Sequence, residues 1–241
     1  MQIKKDNIII NYTEEEKEYI NEFLENIIKE SKIILNFFNI KKLEYPVIIT
    51  FWDDLDKYRE YRNKQLEPYN RKIQPWEVGC AQSHPQEPHY IHILSLKERI
   101  KCQGHQNDKL EDIFKVGVHE YVHICHCECK KYKGTTTYIN EGLATYLSNQ
   151  FNEKQDLTFN CTKEQLLQGA TNYSNYYLLM KYIIENKSKE YILELIKSKE
   201  MQEQELDTLY EEYIKQGKKR SKWKFVSFFI NKISCENCSH N

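Results

Sequence analysis

His119-Glu120-Tyr121-Val122-His123 is the segment of this chain best suited to chemistry. Residues four apart stand on one face of a helix. Both imidazoles can therefore reach one metal ion from the same side. Glu120 lies one residue round and can meet a water in an open coordination position. Zinc at such a site lowers the pKa of its water towards ~7 and polarises a scissile carbonyl, with Glu120 as general base. The pattern alone is modest, because two histidines and a glutamate on an exposed helix face match it as well.

A second segment strengthens it. Tyr138-Ile139-Asn140-Glu141-Gly142-Leu143-Ala144-Thr145-Tyr146 follows a polar, threonine-rich loop. Ile139, Leu143 and Leu147 have helical spacing and pack this segment on the first helix. Glu141 can then approach the same metal. Gly142 and Ala144 are small and permit close helix–helix contact. The candidate zinc ligands are His119, His123 and Glu141, with Glu120 as the catalytic base.

These residues need elements to hold them. Thr13 and Glu16 have capping-box spacing, and the apolar period from Tyr19 to Phe38 predicts a helix. Residues 1–40 therefore read as an N-terminal helical region. Tyr45 to Phe51 reads as a strand, and Asp53-Asp54 caps a helix reaching about Gln65. Trp76 to Ala81 and His89 to Leu94 read as further strands around a turn-rich piece. Helices are expected near 109–129, 137–151, 163–169, 173–186, 188–198, 203–216 and 221–232. A small N-terminal β-sheet with helices, followed by a mainly helical half, is an α+β class. One domain over 1–215 and a basic helix with a cysteine-containing tail over 216–241 are the expected divisions.

The two segments together resemble the gluzincins, the thermolysin-like and aminopeptidase N-like metallopeptidases, and most closely the compact peptidase MA-like proteins. The resemblance covers roughly residues 45–200. It implies a zincin-like catalytic domain, with zinc on His119, His123 and Glu141 and Glu120 as base. It also implies an edge strand that takes the substrate main chain by strand addition. Val78-Gly79-Cys80-Ala81 or His89 to Leu94 would serve. Related families stabilise the oxyanion with a downstream Tyr or His. Tyr173 at the head of a tyrosine-rich helix is the first choice here and Tyr176 the reserve.

The chain also departs from the pattern. Thr145 stands where thermolysin-like enzymes carry an Asp that supports a histidine. The aminopeptidase signature Gly-x-Met-x-Asn is missing, so an endopeptidase is the expectation. Cys129 has the spacing of a metzincin third ligand, but His126 occupies the position where that group needs a chain-turning glycine. Cys125, Cys127 and Cys129, with Cys235, Cys238 and His240, raise a second, structural zinc site. Free thiols are the expected reading instead. His84, His89, His92 and His105 read as surface or hydrogen-bonded histidines, with His92 the one that could line a cleft.

Composition narrows the function classes. The 241 residues carry 35 basic and 36 acidic side chains, which argues against a nucleic-acid binder. No apolar run approaches a membrane span or a signal-peptide core, so the cytoplasm is the expected compartment. Lys218 to Lys224 is basic, and a final helix packed on the body accounts for it. The reading is a zinc metalloendopeptidase acting on a peptide or protein substrate, with oligomeric state left open. A non-catalytic zinc-stabilised peptide- or protein-binding module is the alternative.

Overall fold

A computed structural model describes residues 1–131, 133–151 and 155–236, with side chains described as far as residue 217. The α+β class holds, with a mixed sheet followed by helices. The first correction lies at the N-terminus. Strands β1 (Gln2–Lys5) and β2 (Ile8–Asn11) form an antiparallel hairpin, and helix α1 begins only at Ile20 and runs to Phe37. Asp6 takes a positive φ of 52° in the turn, a conformation that Asp and Asn tolerate. Ile8 and Ile10 alternate inward from this hairpin and are buried, the use β-branched residues are suited to. Glu16 does bind Thr13 through its backbone N and Oγ1, both at 2.8 Å, but within a turn that precedes the helix.

β2 continues into a parallel pairing with β3 (Val47–Trp52). β3 in turn pairs in parallel with β5 (His89–Leu94), and β4 (Gly79–Gln82) pairs antiparallel with β5. The sheet order is β1-β2-β3-β5-β4. β5 is therefore interior, and of the two proposed edge segments only the first lies at an edge, as Gly79–Gln82.

Side chains alternate across the sheet. Val47, Ile49, Phe51, Ile91 and Ile93 face α1 and the long helix α4 (Leu110–Cys129) in the main core. Phe23 of α1 meets Phe51 and Phe114 edge-to-face, at 5.1 and 5.5 Å between centroids. The other face carries Trp52 and Leu94, which join Val78, Cys102 and Tyr58 of α2 (Leu55–Leu66). A short helix α3 (Leu96–Arg99), capped by Ser95, follows β5.

The helical half comprises α5 (Thr137–Leu147), α6 (Lys163–Gln168), α7 (Tyr173–Asn186), α8 (Lys189–Lys197) and α9 (Lys199–Glu236). The last was expected as two helices, but the backbone crosses residues 216–221 unbroken. Gly217 lies inside it; one glycine costs a helix about 1 kcal/mol and need not end it. The side chains of Lys218 to Lys224 and of Cys235, with Cys238 and His240 entire, lie outside the described residues. No helix among the described residues is long and apolar enough to cross a membrane.

Candidate metal centre

α4 carries both histidines. Asp112 accepts from the Lys109 backbone N–H at 2.9 Å and closes the helix start. Ile113, Val118, Val122 and Ile124 are buried and fix the helix rotation. That rotation brings His119 and His123 together, with ring centroids 4.7 Å apart and Nε2 atoms 3.1 Å apart. α5 supplies the third group. Glu141 Oε2 lies 3.4 Å from His119 Nε2 and 3.6 Å from His123 Nε2.

The three donors thus form a triangle with sides of 3.1, 3.4 and 3.6 Å. Donors ~2.0–2.1 Å from one tetrahedral zinc ion stand about 3.3–3.4 Å apart. The residues fit such an ion in both spacing and donor type, and they are the one such group among the described residues. Two imidazoles and a carboxylate suit other borderline divalent ions as well.

The three groups also shift one another's ionisation. Burial opposes charge on Glu141, yet the facing imidazoles of His123 and His119 outweigh it and hold the carboxyl well below its usual range. Burial likewise opposes charge on His123, but Glu141 dominates and lifts it to about 9. Glu120 is 7 % exposed, and burial raises its pKa against the pull of the two histidines.

Glu120 lies against the edge strand. A Cβ added at Gly79 would stand 3.3 Å from Glu120 Oε1 and 2.7 Å from Val116 Cγ1. A bare glycine is what lets β4 come this close to α4. Gly142 does the same elsewhere. Its missing Cβ would meet Met180 at 3.0 Å and the Tyr176 carbonyl at 3.1 Å, so the close contact it permits is with α7.

α7 brings Tyr173 to the site, its ring 6.0 Å from that of His119. Tyr173 is 38 % exposed overall, yet desolvation around its hydroxyl and the carboxylates of Glu141 and Glu120 raise its pKa, so the hydroxyl stays a donor. Tyr176, the reserve, is 2 % exposed and belongs to the core.

Other candidates are drawn elsewhere. His126 is fully buried, stacked on Phe38 at 6.1 Å and 12°, and its Nδ1 is 3.1 Å from Asn140 Oδ1. Cys125 is buried in the core, and Cys129 Sγ contacts the Phe38 carbonyl at 3.9 Å. Cys127 is half-buried, and none of the three joins a metal-ligating group among the described residues. His92 faces α2, with Nδ1 3.2 Å from Trp52 Nε1 and Nε2 2.7 Å from the Tyr61 hydroxyl. Thr145 donates to the Glu141 and Gly142 carbonyls of its own helix, at 2.7 and 3.1 Å, and so supports no histidine.

Two supporting residues escaped the sequence reading. Asn140 donates through Nδ2 to Glu141 Oε1 at 3.0 Å. Its place beside the ligand was visible, but not its direction. Gln202 of α9 is fully buried beneath the start of α5. Its Oε1 accepts from the Thr136 N–H (2.8 Å), Thr136 Oγ1 (2.9 Å) and Thr135 Oγ1 (3.1 Å). Its Nε2 donates to the Leu195 and Ile196 carbonyls at 2.9 and 3.2 Å. A glutamine inside a helical pattern gives no sign of this role.

The chain matches no protein-family model, no curated protein and no solved structure.

Proposed function

We propose that this chain is a zinc metallopeptidase of the gluzincin kind, acting as an endopeptidase. One observation carries the reading. The triangle of His119, His123 and Glu141 is within electrostatic reach of the Glu120 carboxylate, which itself lies against Gly79 of an edge strand. Zinc, when bound, supplies Lewis acidity and a more acidic water.

The chain's own groups do the rest. Glu120 takes the proton of the attacking water on its carboxylate and passes it to the leaving amine. The Tyr173 hydroxyl donates to the oxyanion that develops at the scissile carbonyl. β4 pairs with β5 on one side, and the substrate main chain adds to its other side as an extended strand. The absence of the Gly-x-Met-x-Asn signature favours internal cleavage over release of N-terminal residues. Cys80, Cys102, Cys125, Cys127, Cys129 and Cys161 are free thiols, which suits the cytoplasm as the working compartment.

The test is elemental analysis of the purified protein beside Glu141→Ala and Glu120→Gln, with cleavage of an unstructured peptide library. About one zinc per chain is expected, lost in Glu141→Ala. Glu120→Gln is expected to keep its zinc and lose cleavage by ~10²–10⁴-fold. Zinc without cleavage in the wild type would leave a zinc-stabilised binding module. A wild type that takes up no zinc would end the metallopeptidase reading.

A further inference from the structure

We infer that His126 is a positioning residue which, through Asn140, sets the carboxylate of Glu141 so that one chosen oxygen faces the two histidines. This rests on Glu141 being a metal ligand, as proposed above.

The argument begins with what each group can donate. A carboxylate only accepts hydrogen bonds. Asn140 must therefore turn its NH₂ towards Glu141 Oε1, 3.0 Å away. That leaves its carbonyl oxygen towards His126 Nδ1, at 3.1 Å. A carbonyl also only accepts, so the bond to Asn140 needs the proton on His126 Nδ1, in competition with the Ile196 backbone carbonyl that the same ring faces. The chain of bonds has one consistent direction, from His126 to Asn140 to Glu141. The opposite amide orientation would set two oxygens against each other at Glu141.

His126 is built to hold that direction. Its side chain is fully buried, and its ring lies nearly parallel to that of Phe38, 6.1 Å away between centroids. It stands on α4, three residues beyond His123, while Asn140 stands on α5 beside Glu141. The relay therefore ties together the two helices that bear the three candidate ligands. It also divides the work of the carboxylate. Oε1 is held by Asn140, and Oε2 is the oxygen 3.4 and 3.6 Å from the histidine nitrogens. Without a donor at position 126, Asn140 keeps only its contacts with His123 and Glu141, its terminal amide torsion gains freedom and Glu141 is held less firmly. Partners of this kind typically contribute 10–100-fold to metal affinity.

The experiment compares zinc affinity of the full chain, by competition with a chromogenic chelator, in wild type, His126→Phe and His126→Asn. Phenylalanine keeps an aromatic ring against Phe38 but has no donor. Asparagine keeps a donor near the place of Nδ1. The expected result is a dissociation constant raised about 10–100-fold in His126→Phe and largely restored in His126→Asn. Urea midpoints of the zinc-free proteins separate this from a loss of fold. Long-range ¹H–¹⁵N spectra of the wild type are expected to show His126 as the Nδ1–H tautomer, a readout that needs no variant. Equal zinc affinity in wild type and His126→Phe, equal losses in the two variants, or an Nε2–H tautomer would each overturn the inference while leaving the metal centre standing. A wild type that binds no zinc would remove the ligand assignment and the inference with it.

Discussion

Replacing Gly79 by alanine tests the close approach of β4 to α4. The added Cβ would stand 2.7 Å from Val116 Cγ1 and 3.3 Å from Glu120 Oε1. Carbon atoms rest at about 3.5–4.0 Å, so the first contact must open by roughly 1 Å. Val116 cannot easily turn aside, because a β-branched side chain in a helix has one strongly preferred rotamer. The strand and helix must part, or the side chain must leave its rotamer, at a cost of ~1–3 kcal/mol. Alanine returns about 0.4–1 kcal/mol by restricting the unfolded chain. The clash wins, and a net loss of about 1–2 kcal/mol is expected. Val116→Ala removes the offending methyl, so Gly79→Ala made in that background should be nearly neutral. Urea unfolding of the four proteins in a double-mutant cycle reads the coupling. Zinc content should stay unchanged, because no ligand moves. The proposed peptidase activity should fall in Gly79→Ala and stay low in the double variant, since Glu120 is still crowded. A stability change below about 0.5 kcal/mol in Gly79→Ala, or no relief from Val116→Ala, would refute the reasoning.

The remaining predictions concern stability. His92 is held neutral, its pKa pushed down to about 4 first by burial and then by the nearby Arg62. Below ~6.5 the unfolded chain takes up a proton that the native chain refuses. The contribution is therefore whole above pH ~6.5 and is lost as pH falls towards 4, at up to about 1.4 kcal/mol per pH unit. Urea unfolding between pH 7 and 5 should decline less steeply in His92→Asn, by about one proton; parallel curves would count against this. Gln202→Leu should cost about 2–3 kcal/mol, because the buried Thr136 N–H loses its acceptor. Its zinc affinity should also weaken, as the α5 start that carries Glu141 loosens; a melting temperature equal to wild type would contradict the role given to Gln202.

How much was legible beforehand varies with the range of the interaction. The spacing of His119 and His123 belongs to the helix itself, and α4 and α7 were expected nearly as they stand. The N-terminal hairpin was not. Ile8-Ile9-Ile10 is too short to announce a strand, and it becomes one by pairing with Val47–Thr50 some forty residues away. The choice of edge strand was likewise open, since the local pattern of neither segment says which strand it pairs with. Pairing of β5 with β3 buried it and left β4 outside.

The sequence by itself determined which residues can do chemistry, because a periodic helix places i and i+4 on one face whatever surrounds it. It also carried the α+β class, written in the local periods of its segments. Packing between distant segments turns Glu141 Oε2 to the histidines, draws His126 to Phe38 and Asn140 instead of into the triangle, and sets Gln202 beneath the start of α5. Those outcomes depend on packing between segments far apart in the chain, where no local pattern fixes a distance or the direction of a hydrogen bond.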